Sequence, residues 1–153
     1  MNTCSSREDL IEKMRDLVKR CEKALGKENE VTLTTLNDLG SELIKKEKYE
    51  EAKEVFERCL AGRMKEKLLG KTHPSVVDTV LNIANVYYFT KGYVKAGKLY
   101  ERTLEKCKAQ LGKDHECTNG CACNFKHCLK VSGNDEEKLE ELKKAYPWLN
   151  DEA

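Results

Sequence analysis

The sequence predicts an all-α fold, a right-handed α-solenoid of antiparallel helix pairs with about seven helices. Three observations carry that prediction. The segment Leu69-Gly-Lys-Thr-His73 returns as Leu111-Gly-Lys-Asp-His115, and a decayed copy stands at Leu25-Gly-Lys-Glu-Asn29, at spacings of 44 and 42 residues. A period of that size marks a stacked array, in which each unit buries its apolar face against its neighbours. Between these words apolar residues recur at three- and four-residue steps, and no segment keeps the two-residue alternation of a strand. Charged residues make up 36% of the chain and aromatic ones 7%, which suits thin helical layers with much wet surface.

The elements follow in order. A first helix starts at Ser5 or Ser6, where Ser5 with Glu8 forms a capping box, and carries Leu10, Met14, Leu17, Val18, Cys21 and Leu25 as an inward stripe. A second runs from about Val31 to Lys46 with Leu33, Leu36, Leu39, Gly40 and Leu43 inward. Its partner spans about Tyr49 to Leu69, with Tyr49, Ala52, Phe56, Cys59 and Leu60 inward. The next pair repeats the pattern: Val77, Val80, Ile83, Ala84 and Tyr87, then Tyr93, Ala96, Tyr100, Thr103 and Leu104. A third copy opens with Cys117, Cys121, Ala122, Phe125 and Leu129, and closes with a helix of about Asp135 to Tyr146 offering Leu139, Leu142, Ala145 and Trp148. Gly26, Gly70 and Gly112 suit helix C-terminal caps. Pro74 suits a first helical turn, and Pro147 stops the last helix. The chain thus divides into a capping helix (1–26), repeat 1 (30–70), repeat 2 (74–112), and a degenerate repeat 3 with its cap (116–150).

Bulk properties exclude several functions. The chain has 28 basic and 27 acidic side chains for a net charge of +1, which argues against nucleic acid as a partner. No apolar run approaches the roughly 18 residues that span a bilayer, so membrane insertion is not expected. Met1-Asn-Thr-Cys-Ser-Ser-Arg-Glu-Asp9 has neither a signal-peptide apolar stretch nor transit-peptide character, so a cytoplasmic location is expected. In that compartment the eight cysteines are read as mostly reduced thiols.

Small residues at Gly40 and Ala84, each followed twelve positions later by Ala52 and Ala96, with aromatic Phe56 and Tyr100 after them, resemble a tetratricopeptide repeat. The words Thr35-Leu-Asn-Asp-Leu-Gly40, Tyr49-Glu-Glu-Ala52, Tyr100-Glu-Arg-Thr-Leu104 and Leu69-Gly-Lys-Thr-His-Pro74 are similar to the longer repeats of kinesin light chains and kinesin-light-chain-like proteins, over about residues 15 to 133. Two departures stand out. Lys126 and Lys138 occupy third-repeat positions that the pattern gives to small residues. A close crossing there would bury two ammonium groups, so that pair is expected to be splayed or shifted, as a polar cap. The first repeat also has two extra residues between Leu60 and Leu69 compared with Leu104 to Leu111, which predicts a longer helix or a bulge.

The resemblance implies a protein-interaction module whose groove is lined by the first helix of each pair. The groove positions it implies are Asn37, Ser41, Ile44 and Lys45, then Leu81, Asn85, Tyr88 and Phe89, then Cys123, His127 and Lys130. Asparagine both donates and accepts, as a peptide backbone requires. Asn37 and Asn85 have a second reading, as caps or solvation of a helix face, and one of Tyr88 and Phe89 is expected to be packed. The implied partner is a protein or peptide segment, with the chain a monomer or a subunit of a hetero-assembly. The alternative is a permanent structural subunit of a larger assembly with no peptide-binding role. Cys117, Cys121 and Cys128 lie on one side of a single helix, a small apolar packing row; their spacing lacks the paired ligands of a zinc site. His73 and His115 recur with the period and are read as architectural. No phosphate loop and no Ser, His and Asp set stands out, so no catalytic residues, no metal and no cofactor are expected.

Overall fold

Helix ends are fixed locally before any packing is considered. Asn29 accepts the Val31 N–H on its Oδ1 at 2.9 Å and starts one helix. His115, at the matching place in the repeated word, accepts the Cys117 N–H on its Nδ1 at 3.1 Å and starts another. The histidine and the asparagine that replaces it therefore do the same job, satisfying an orphan N–H of the first turn. The glycines of the same words, Gly26 and Gly112, both take φ of +95°, which glycine adopts without strain. Their carbonyls accept the hydroxyls of Thr32 (2.8 Å) and Thr118 (2.9 Å), two fully buried threonines six residues on. The architectural reading holds for His115; His73, Gly70 and the extra residues before Leu69 lie outside the described residues.

The computed structural model describes residues 3–65, 74–133 and 135–150. Among them are α1 (Thr3–Leu25), α2 (Glu30–Lys45), α3 (Tyr49–Lys65), α4 (Pro74–Phe89), α5 (Tyr93–Leu111), α6 (Glu116–Ser132), α7 (Glu136–Ala145) and a 3₁₀ turn, Pro147–Asn150. The described residues include no strand. The expected capping box at Ser5 concerns a side chain outside the described set. The chain forms two compact units, Met1–Val86 and Tyr87–Ala153.

In the first unit α2 packs on α3 and α1 on α2. Leu33, Leu36, Leu39 and Leu43 of α2, and Ala52, Phe56 and Cys59 of α3, are all buried. The crossing is as close as the small residues imply: a Cβ placed on Gly40 would lie 2.5 Å from Cε1 of Phe56. The expected inward stripe of α1 needs correction. Ile11 and Val18 are the buried residues, while Leu10, Leu17 and Leu25 are 43%, 47% and 49% exposed. Ion pairs lie along the same edge of the helix as Ile11 and Val18: Arg7 to Glu42, Glu8 to Lys46, Arg15 to Glu51 at 2.6 Å, and Glu22 to Arg58.

In the second unit α5 packs on α6, α6 on α7, and α7 on the 3₁₀ turn. Ala96, Tyr100, Leu104 and Cys107 join Cys121, Ala122, Phe125 and Cys128 in the core. The Tyr100 hydroxyl, deep in that core, accepts from Asn124 Nδ2 at 3.3 Å. Pro147 ends α7 and opens the 3₁₀ turn, which buries Leu149; Tyr146 is also buried. Trp148 and Ala145, expected inward, are exposed, because Tyr146 and Leu149 take the places under the cap. Neither lysine of the degenerate repeat loses its solvation uncompensated. Lys126 donates to the Leu149 carbonyl and pins the turn, and exposed Lys138 pairs with Glu101 at 3.1 Å and Asp135 at 3.5 Å.

Candidate partner-binding surfaces

In the first unit the groove positions expected from the sequence lie on α2 and α4. Asn37 is half-buried and joins the two helices: its Oδ1 accepts from Asn82 Nδ2 at 2.9 Å and its Nδ2 donates to Asp78 at 3.4 Å. The Ser41 hydroxyl donates back to the Asn37 carbonyl at 3.2 Å, a bond within its own helix. Ile44 is half-buried, and exposed Lys45 pairs with Glu42 at 2.7 Å. Leu81 and Asn85 are half-buried on α4, with Asn82 one turn before Asn85. Asp78 and Asn82 complete the polar ladder that Asn37 begins, and sequence reasoning missed both. They lie on the α4 face that approaches α2, which the apolar spacing does not mark.

Beside this ladder sits a buried cation. Arg63, 4% exposed, donates from Nη1 to the Ser75 carbonyl (2.9 Å) and the Thr79 hydroxyl (2.7 Å), and from Nη2 to Glu30 (3.1 Å) and Thr34 (3.4 Å). The guanidinium fork thereby connects α3 to the first turns of α2 and α4. The Cys59 thiol donates to the Leu33 carbonyl at 3.3 Å and lies 3.8 Å from Thr79 Oγ1. Burial raises the pKa of that thiol, and the Arg63 charge pulls it partly back.

In the second unit the expected residues Tyr88, Phe89 and His127 come together, and Tyr93 joins them. Ring centroids are 5.3 Å apart for Tyr88 and His127, 5.6 Å for Tyr88 and Tyr93, 5.9 Å for Tyr93 and His127, and 5.7 Å for Tyr88 and Phe89. These separations suit edge-to-face packing of aromatic quadrupoles. Tyr88 is half-buried and Phe89 is 49% exposed, so the expectation that one of the two is packed fits Tyr88. Burial, with Tyr93 adding to it, raises the Tyr88 pKa and keeps the phenol neutral near pH 7. Exposed Cys123 and Lys130 flank His127 on α6, one turn to either side. Tyr93 also borders a cleft of about 200 Å³ lined by Gly97, Phe125 and Leu129, with Glu101 and Lys138 among its polar residues. Tyr93 reads in sequence as a core residue, so its part in this surface shows only in three dimensions.

The cysteine row divides. Cys121 and Cys128 are buried core residues, whereas Cys117, in the first turn of α6, is exposed. The Cys121 thiol donates to the Tyr100 carbonyl at 3.4 Å. Burial raises the pKa of both core thiols, that of Cys128 to about 11. Among the described residues no group of three His, Cys, Asp or Glu side chains is placed to hold a metal ion. No helix among them is long and apolar enough to cross a membrane.

Comparison with known proteins follows the same lines as the geometry. Residues 32–75 match the tetratricopeptide repeat. The chain is 33% identical over 117 residues to the RxLR effector protein SFI4 of Phytophthora infestans, covering 76% of this chain and 34% of that protein. It is 40% identical over 81 residues to the secreted RxLR effector protein RXLR-C07 of Plasmopara halstedii, covering 53% of this chain and 24% of that protein. The chain therefore spans about a third or less of the length of these curated relatives. Among solved structures, a kinesin light chain-type protein of Podosopora anserina with nearly identical TPR-like repeats superposes with a TM-score of 0.73 at 18% identity, over 95% of this chain and 68% of that one. BtubC (BKLC) from P. vanneervenii superposes with a TM-score of 0.76 at 17% identity, over 97% of this chain and 60% of that one. At these identities the structural likeness speaks for the fold, an α-solenoid of helix pairs. Residues 32–75 are thus a tetratricopeptide repeat, set in a chain that has the fold of kinesin-light-chain-like arrays.

Proposed function

We propose that this chain is a protein-interaction module that holds a peptide or protein segment on the first-helix faces of its repeats. One observation carries the reading. Tyr88, Tyr93 and His127 form a ring cluster with half-exposed Phe89 beside it, so aromatic surface remains outside the core. Rigid aromatic side chains supply large contact area at small entropic cost, and such residues dominate interface energetics. His127 and Lys130 add polar contacts in the second unit. In the first unit Asn37, Ser41, Ile44, Lys45, Leu81 and Asn85 are the contacts proposed.

The names of the two curated relatives extend the proposal: the module serves an effector-type protein. All seven described cysteines are free thiols, which favours work in a reducing compartment, the cytoplasm, although one relative is named as secreted. Oligomeric state enters the proposal as a monomer or a subunit of a hetero-assembly.

The test is quantitative recovery of co-purifying chains with wild-type protein and with Tyr88→Ala/His127→Ala. Loss of the same partners from the variant, at unchanged melting temperature, supports the proposal. Equal recovery by both proteins rejects it. The alternative, a permanent structural subunit, is separated by exchange: a partner that does not exchange with added free module over hours favours that alternative.

A further inference from the structure

Three glycines lie buried within the described helices, and two of them have a packing reason. A Cβ on Gly40 would stand 2.5 Å from Phe56 Cε1, and one on Gly62 would stand 2.6 Å from Leu33 Cδ2. Gly97, in the second turn of α5, has no such reason: a Cβ there meets only Cys128 Cβ, at an ordinary 3.5 Å. Glycine inside a helix costs stability relative to alanine. What its bareness leaves open is the cleft of about 200 Å³ beside Tyr93, which Gly97 lines. The repeat register places Lys53 of the first repeat and Leu139 of the third at the same position, so of the three repeats the second alone is bare there.

A second departure from the repeat pattern meets the first in the same place. Lys138 stands where the other repeats have Ala52 and Ala96. It lines the cleft and pairs with Glu101 at 3.1 Å and Asp135 at 3.5 Å, which line it too. Alanine permits a close crossing, whereas a lysine paired to Glu101 bridges the gap between α7 and α5. The cleft thus has a rim of charges that satisfy one another and buried apolar walls in Phe125 and Leu129. All of its lining belongs to α5, α6 and the start of α7, and the chain leaves α7 from the opposite end, where Lys126 pins Leu149.

Size and position identify the occupant. Pockets for whole small-molecule ligands run to roughly 300–1,000 Å³, and a cavity of about 150 Å³ already takes a benzene-sized group. A volume near 200 Å³ therefore suits one apolar side chain and is too small for a helix. Its mouth is marked by Val94, 54% exposed, and by Tyr93, whose ring also belongs to the cluster with Tyr88 and His127. A segment lying on the ring cluster reaches the cleft without losing contact with Tyr93.

We infer that the cleft between α5, α6 and the first turn of α7 is an anchoring subsite for the segment held on the ring cluster, and that it takes one leucine-sized aliphatic side chain of that partner. The inference rests on the function proposed above, and deepens it by naming what the partner must carry.

Two model compounds test this, N-acetyl-leucine N-methylamide and its glutamine counterpart, which has similar bulk and a polar end. Methyl NMR of the full chain follows Val94 and Leu129 during titration. The leucine compound should shift both signals and saturate in the millimolar range, the order expected for a ligand of about thirteen heavy atoms. The glutamine compound should bind at least about tenfold more weakly. Gly97→Leu fills the cleft and should abolish the shifts, and it should lose the partners that Tyr88→Ala/His127→Ala loses. Gly97→Ala adds a single methyl; it should weaken the leucine compound several-fold while raising the melting temperature, and it decides the question if Gly97→Leu misfolds. Binding of neither compound, equal binding of both, or full partner recovery by Gly97→Leu overturns the inference. So does self-association of wild type in sedimentation velocity that Gly97→Leu abolishes, since the occupant is then a second copy. If the ring variant loses its partners while the leucine compound fails to bind, the subsite alone falls. If the leucine compound binds and the ring variant keeps every partner, the fault lies in the function proposed for the ring cluster.

Discussion

The two units fill the same register positions with different chemistry. Cys59, Arg63 and Thr79 of the first correspond to Thr103, Cys107 and Cys121 of the second. In the first, a guanidinium 4% exposed spends four donor contacts on Ser75, Thr79, Glu30 and Thr34. In the second, the counterpart is a buried thiol, and Cys121 satisfies the Tyr100 carbonyl through a single weak donor. The helix-pair scaffold therefore accepts either a charged network, here with Arg63 Nε left without a hydrogen bond, or a small soft group in its inner layer. The consequences differ. A forked cation specifies which helix ends meet, because each donor needs an acceptor in one direction. A thiol fills space and specifies little.

Breaking the first network should have the largest effect. Arg63→Ala strips the guanidinium donors from the Ser75 carbonyl, the Thr79 hydroxyl and the Glu30 carboxylate, leaves the Ser75 carbonyl and the Thr79 hydroxyl with their own bond at 3.0 Å, and opens a void. A loss of about 2–4 kcal/mol is expected, since each buried group left unsatisfied costs on the order of 1–3 kcal/mol. Cys107→Ala, the register counterpart, removes one sulfur atom and should cost about 1 kcal/mol, in the range of small core truncations. Urea denaturation of both variants measures the difference, and equal losses would remove the contrast drawn between the units.

Much of this was legible in the sequence, and the exceptions have physical causes. The repeated words gave the pair boundaries because the two words inside the described residues contain their own caps, a glycine that ends one helix (Gly26, Gly112) and an Asn29 or His115 that begins the next. The Gly40 and Phe56 crossing was legible because only a missing side chain allows it. The orientation of α1 was not. The stripe read from its spacing took in Leu10, Leu17 and Val18 but left out Ile11, and periodicity alone does not say which edge meets a neighbour; the fold buries Ile11 with Val18, along the edge where Arg7, Glu8, Arg15 and Glu22 form their ion pairs. Arg63 was hidden because an arginine among Glu and Lys reads as solvated, and only the fold brings Glu30 and Ser75 to it. In the ring cluster, Tyr88, Phe89 and His127 followed from the family resemblance, whereas Tyr93 reads as core by its spacing alone.

The same substitution should act in opposite directions in the two units. Gly40→Ala places a methyl 2.5 Å from the Phe56 ring, so the ring or the helix must shift. Overpacking of this kind costs about 1–3 kcal/mol, of which roughly 1 kcal/mol returns as alanine's better helix propensity. In the second unit, a Cβ on Gly97 meets only Cys128 Cβ, at an ordinary 3.5 Å. Gly97→Ala should therefore stabilise by about 0.5–1 kcal/mol through the unfolded chain and helix propensity. Thermal melts of both single variants read the sign directly. A stabilised Gly40→Ala would mean that the helix crossing is looser than the placement of the Phe56 ring requires.

The remaining contrast is silent at neutral pH and emerges only in alkali. Cys121 and Cys128 have folded pKa values raised by burial, Cys128 to about 11, while a thiol in an unfolded chain titrates near about 8.5. Between those values the unfolded chain releases protons that the folded chain keeps, so the unfolded state binds fewer protons and stability falls as pH rises. The contribution is complete below the unfolded value and is lost through the folded one. In the first unit the Arg63 charge opposes the effect of burial on Cys59, which reduces the rise. The melting temperature of wild type should thus decline between about pH 8.5 and 11, a window set by these pKa values. Cys121→Ala/Cys128→Ala should flatten that slope, and Cys59→Ala should flatten it less. Slopes are the quantity to compare, because each substitution also lowers the baseline by removing a buried sulfur. If the three proteins lost stability in parallel, the thiols would not be the groups that titrate, and the guanidinium would not be what shields the first unit.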